Sequence, residues 1–198
     1  MRRYLLLYRF LIVNIVGAAL LGLAGAQGWI ARIAEADPTG LVFVIFGVFA
    51  VGLALCGYRL FKTSAALNRL EEGGTVDLPD DWTARAPVRP ELMAEALKAR
   101  LFSRIAVVRQ IAAALVVLGL IGTVAGFIIA LSGVSAEDAG TLAAVQPMIS
   151  TLISGMSVAL YTTLEGAVLG LWLTVNYRML ATGTSTLYSE LLAANGRV

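Results

Sequence analysis

Few residues in this chain can do chemistry, and they lie close together. The stretch YTTLEGAVLG, residues 161–170, holds a carboxylate, Glu165, just after Thr162 and Thr163, and LGLIGTVAGF, residues 118–127, holds Thr123. Both stretches are otherwise apolar. A charged side chain near a bilayer centre costs at least ~2.5 kcal/mol on insertion scales, so an acid here needs a reason. Glu165 reads as an ion-handling group, as a protonated acid hydrogen-bonded within a helix bundle, or as a polar contact between helices. The threonines read either as lining a polar path or as bonding carbonyls a turn back and stitching helices, for ~0.6 kcal/mol. The chain has no histidine and one cysteine, Cys56, set among apolar residues in LALCGYRL. Zinc sites, haem ligation by histidine, Ser-His-Asp or Cys-His catalysis and an internal disulfide framework therefore lack their parts. With neither histidine nor an aspartate pair in the apolar stretches, an intramembrane enzyme lacks its groups too. Net charge is +2 without a basic patch, which argues against nucleic acid as a partner.

The elements that must position these residues are membrane helices. The chain is 59% apolar and 14% charged, against roughly 25% charged in a soluble domain. About 20 apolar residues cross a hydrocarbon core about 30 Å thick. Four segments qualify: about Leu5–Ile30, Leu41–Leu60, Ile105–Ser132 and Pro147–Tyr177, the last opening on a proline at a helix start. The expected fold is an all-α membrane protein with four transmembrane helices. The last two are long, roughly 42 and 46 Å at helical rise, and project into the cytoplasm. The chain divides into a first transmembrane hairpin (1–62), a cytoplasmic loop (63–104), a pair of long helices (105–180) and a cytoplasmic tail (181–198). From Glu91 the loop can turn helical again and run into the third span. The rest of it, with breakers at Gly73-Gly74, Pro79, Pro87 and Pro90, serves as a solvated connector or a partner surface. Basic residues set the orientation. Arg2, Arg3, the seven from Lys62 to Arg104, Arg178 and Arg197 lie on one side and only Arg32 on the other, so both termini are expected in the cytoplasm. An alternative for the first span is a signal peptide, with Ala24-Gly25-Ala26 as its cleavage site.

Helix periodicity then sorts the candidates by face. Gly122 and Gly126, four apart, with Gly119 and Thr123 nearby, allow a second backbone to approach closely. In the fourth span Ala159, Thr163, Gly166, Gly170 and Thr174 share one small, faintly polar face. Val158, Thr162, Glu165, Leu169 and Trp172 lie on the other side, which turns Glu165 about 160° from Thr163 at 100° per residue. An acid so placed makes sense between subunits, where a neighbour supplies hydrogen bonds.

At these two blocks the chain resembles the MotA/TolQ/ExbB proton channel family. LGLIGTVAGF looks like the LGLxGTVxG signature of the TolQ and ExbB branch, and GMSVALYTTLEG from Gly155 looks like its final-helix segment, GIxxALxxTxxG. The likeness covers about residues 105–178. It implies a bacterial inner-membrane, multi-pass subunit assembled as a homo-oligomer, a pentamer, around a single-span partner of the MotB/TolR/ExbD type. That partner carries an intramembrane aspartate, and ion flow drives an envelope motor. It implies Thr123 and Thr163 in the ion pathway and leaves Gly119, Gly122, Gly126, Gly155, Ala159, Gly166 and Gly170 to helix packing. No cofactor is expected, and the ion moved is H+. Relatives in that branch place an acid five residues before the final-helix threonine, where this chain has Val158. Glu165, seven residues on and near that face, is a candidate replacement, and it stands with Thr162 as a possible pathway or tuning residue. Four spans are a feature of MotA, whose far larger charged loop is missing here, which argues against a flagellar stator. The competing class is a passive oligomeric scaffold.

Overall fold

A computed structural model of the chain describes residues 5–28, 37, 39–71, 90–132 and 142–195. They form four helices: α1 (Leu5–Ala26), α2 (Leu41–Glu71), α3 (Pro90–Ser132) and α4 (Leu142–Asn195). No strand occurs among the described residues. All four helices are long and apolar enough to cross a membrane, so the all-α, four-span architecture expected from the apolar runs holds. The connector breakers Gly73-Gly74, Pro79 and Pro87, residues 29–36 with the last residues of the first apolar run, and residues 133–141 lie outside the described residues.

Local chemistry explains where the helices begin and end. After α1, Gln27 and Gly28 donate back to the carbonyls of Leu23 (3.0 Å) and Gly25 (2.9 Å), and Gly28 takes a φ of 75°. That left-handed conformation suits glycine at a helix C-terminus. Ahead of α2, the Asp37 carboxylate accepts the backbone N–H groups of Thr39 (2.9 Å) and Val42 (2.8 Å) and the Thr39 hydroxyl. Side-chain oxygens so placed satisfy amides that a helix start leaves without partners. Pro90 opens α3, where its missing N–H costs nothing, and the helix runs unbroken from there through the third span.

Helix α4 departs from expectation at both ends. It begins at Leu142, so Pro147 sits inside it rather than at its start. A proline there forfeits the single bond to the carbonyl of Ala143, close to the helix end, and the preceding Leu-Ala-Ala are strong helix formers. At its other end α4 continues through the expected tail to Asn195. Leu180, Thr184, Leu187 and Leu191 are buried there at spacings of four, three and four, which is a helix face with a packing partner. At 1.5 Å per residue α3 and α4 measure about 64 and 81 Å, more than twice a hydrocarbon core of about 30 Å.

Packing divides the chain across its helices. One compact unit comprises Met1–Val16, Leu53–Gln110 and Thr174–Val198, and the other Gly17–Gly52 and Ile111–Leu173. In the first, Leu60, Ile105, Val108, Leu180 and Leu187 form the core. Helix α1 is tied to α4 there by an amide pair: Asn14 Nδ2 donates to Asn176 Oδ1 at 2.8 Å, and Asn176 Nδ2 donates in return at 3.4 Å. In the second unit Val42, Ile45, Leu115, Val158, Leu169 and Leu173 are buried. The Phe49 and Trp172 rings meet there at 5.0 Å, and Trp172 also lies against Gly17.

Candidate ion-pathway site

Helices α3 and α4 approach closely along their glycines. A Cβ built on Gly126 would stand 2.5 Å from the Ala159 nitrogen, and one on Gly166 would stand 2.6 Å from the Leu115 carbonyl oxygen. Gly155 faces Ala130, Gly122 faces Thr162, Gly119 faces Gly166, and Gly170 faces Ala112. As residue numbers rise along one helix they fall along the other, so the pair is antiparallel with backbones in contact over more than three turns. Contact this close is available only where a side chain is missing, and it brings backbone carbonyls of each helix near polar groups of the other.

That proximity builds the polar spot. The Thr123 and Thr163 hydroxyls hydrogen-bond each other across the helix pair. The Thr163 hydroxyl also lies 3.0 Å from the Ala159 carbonyl of its own helix and 3.2 Å from the Gly119 carbonyl of the other. Thr123 mirrors it, at 3.3 Å from Gly119 and 3.4 Å from Ala159. Four oxygens from two helices thus share two hydroxyl protons, leaving lone pairs free to accept from a water or to coordinate a cation. Thr163 is exposed and Thr123 partly so. The cluster therefore opens onto the surface of the subunit, flanked on α4 by exposed Leu160, Leu164 and Leu171.

The other two candidates point elsewhere. Thr162 is fully buried: its hydroxyl donates to the Val158 carbonyl at 2.8 Å, and its side chain fills the space over Gly122. Glu165 is 9% exposed, and neither carboxylate oxygen has a hydrogen-bond partner among the described residues. It sits one turn from buried Leu169 and two turns from Trp172, on the side of α4 that faces Phe49 and Gly17 rather than the glycine seam. The sequence separation of Glu165 from Thr163 by face is therefore present. The acid, however, lies inside the subunit's own packing and not on a surface a neighbour could reach.

Against known proteins, a family profile described as the MotA/TolQ/ExbB proton channel family matches residues 62–192. The chain belongs to that family. The match covers about two thirds of the chain and extends beyond the two blocks that suggest it in the sequence, taking in the C-terminal end of α2 and nearly all of α4. No curated protein and no solved structure matches. Members of the MotA/TolQ/ExbB family are channel subunits rather than enzymes. The threonine cluster lies within the matched region, as does the whole α3–α4 seam. Most of the first hairpin lies outside it.

Asn14, Asn176 and Asp37 went unremarked as functional or positioning residues in the sequence. Asn14 is visible there only as a polar interruption of an apolar run, and Asp37 as the acid of DPTG ahead of another, a helix-start pattern.

Proposed function

We propose that this MotA/TolQ/ExbB member is a proton channel subunit of an ion-motive-force-driven envelope motor. Five copies surround a single-span partner whose intramembrane aspartate takes up and releases the ion. Thr123 and Thr163 line the route. One observation carries this reading: the two hydroxyls and the carbonyls of Gly119 and Ala159 form an oxygen cluster open to the subunit surface, within a largely apolar wall. A mobile carboxylate on a central partner could exchange its proton with water held at such a spot. Each charge crossing would release ~2.3 kcal/mol per 100 mV. Glu165 and Thr162, turned inward, take no part in that surface.

The test is proton flux into vesicles containing the full chain together with a single-span protein of the MotB/TolR/ExbD type. Thr163→Val keeps the shape of the side chain and removes the hydroxyl. It should cut flux at least tenfold while the oligomer retains its mass, and Thr123→Ala should do likewise. Flux unchanged in both variants would leave a passive scaffold, in which the cluster only joins two helices.

A further inference from the structure

We propose that Glu165 and Asp37 form a proton-binding site inside each subunit, reached from the side of the membrane where the α1–α2 connection lies and separate from the Thr123–Thr163 cluster. The site goes beyond the channel reading and does not depend on it. Its first support is depth. Phe49 of α2 meets Trp172 of α4, and Gly52 packs on Leu173 a little further along. Stepping back about two turns from those contacts reaches Val42 on α2 and Glu165 on α4. Glu165 is thus level with the first turn of α2, the turn that Asp37 caps. The Asp37 carboxylate is within electrostatic reach of Glu165.

The second support is the state of the two carboxylates. Asp37, 8% exposed, is held by three donors, the Thr39 and Val42 amides and the Thr39 hydroxyl, which favour its anionic form. Glu165 has no donor among the described residues. The ionisable side chain next to it on its own helix is the half-buried Tyr161 phenol, one turn earlier on α4. Helix α3 carries no ionisable group from Gln110 to Ser132, and from Leu142 to Tyr177 α4 carries only Glu165 and the phenols of Tyr161 and Tyr177. Of the described parts of α1 and α2 beside it, Gly17–Gly28 and Leu41–Gly52, neither carries one. Two negative charges cannot both persist in so dry a neighbourhood, so the pair holds one proton, and the donors on Asp37 leave it on Glu165. Loading is a plain acid–base step. A hydronium ion gives its proton to a Glu165 oxygen and leaves as water, and release reverses this with no other bond changed. A buried polar group without a partner is costly, and an apolar residue would avoid that cost.

Infrared titration of the purified full-length chain in lipid tests the site. The wild type should show a protonated-carboxyl C=O band at neutral pH that Glu165→Gln removes. Asp37→Asn, which can still cap α2, should shift the pH at which the band fades. If the wild type lacks the band, or Glu165→Gln retains it, the site does not exist. An unmoved titration in Asp37→Asn would overturn the pairing. Glu165→Leu guards against a folding artefact: the proposal expects it to assemble and resist heat at least as well as wild type. Loss of assembly in Glu165→Leu, with the band unaffected by Asp37→Asn, would make Glu165 a structural residue and overturn the proposal.

Discussion

At the residue scale the glycines of the α3–α4 seam and Gly22 of α1 make opposite predictions from one residue type. A methyl group on Gly126 would meet the Ala159 nitrogen at 2.5 Å and the Gly155 carbonyl oxygen at 2.6 Å, both backbone atoms that cannot rotate away. Gly126→Ala should therefore force the helices apart and destabilise the fold by ~1–3 kcal/mol, as overpacking does. Gly22 in α1 has nothing within 4 Å of such a methyl. Gly22→Ala should be neutral or slightly stabilising, by up to ~1 kcal/mol from helix propensity. Denaturation in mixed micelles, with loss of helix as the readout, distinguishes the two. The seam glycines were legible in the sequence because a spacing of four puts them on one face. The inward burial of Glu165 was not, because a helical wheel separates faces without saying which of them the rest of the chain covers. The Asn14–Asn176 pair was hidden for a related reason: its members are 162 positions apart, and no local pattern joins them. A double-mutant cycle with Asn14→Ala and Asn176→Ala should give a coupling of ~0.6–1.7 kcal/mol, the range of hydrogen bonds between membrane helices.

At the element scale the existence of four helices could be read from apolar run length, but their extents could not. Hydropathy ends a span where charges begin, whereas the α-helix ends where its backbone groups find other partners. Thus α2 passes Lys62 and reaches Glu71, and α4 passes Arg178 and reaches Asn195. The buried 4-3-4 series from Leu180 to Leu191 was present in the sequence as a helical signal, masked by the hydroxyl residues between. The start of α2 can be probed directly. Burial by itself would raise the Asp37 carboxyl, but the hydrogen bonds from Thr39 and Val42 outweigh it and hold the group below the usual aspartate value. A depressed carboxyl stabilises the fold above its unfolded value and loses that contribution as the pH falls through the folded one. Asp37→Ala should cost ~0.5–2 kcal/mol at neutral pH. Its deficit relative to wild type should shrink as the pH drops below about 4. Parallel acid titrations of helix content for wild type and variant measure that difference.

At the scale of the whole molecule, the distribution of charge and burial sets which way the chain sits in its membrane. Arg9, Lys62, Arg104 and Arg178 come from four different helices, and all are exposed. They belong to the unit that also holds the C-terminal half of α2 and the N-terminal half of α3, while the unit with the threonine cluster has no basic residue among its described members. If lysine and arginine mark the cytoplasmic side, as the rule for membrane proteins holds, the α1–α2 connection faces outward. The proposed Asp37–Glu165 site is then loaded from the outside. Single cysteines decide this with little background, because the native Cys56 is fully buried. Thr39→Cys and Ser103→Cys replace exposed residues, one just ahead of α2 and one in α3 ahead of the third apolar run. A membrane-impermeant thiol reagent applied to intact spheroplasts should label Thr39→Cys and spare Ser103→Cys, and inside-out vesicles should reverse the pattern. Labelling of Ser103→Cys in intact cells would invert the topology, and with it the direction in which the threonine cluster and the buried acid meet the ion gradient.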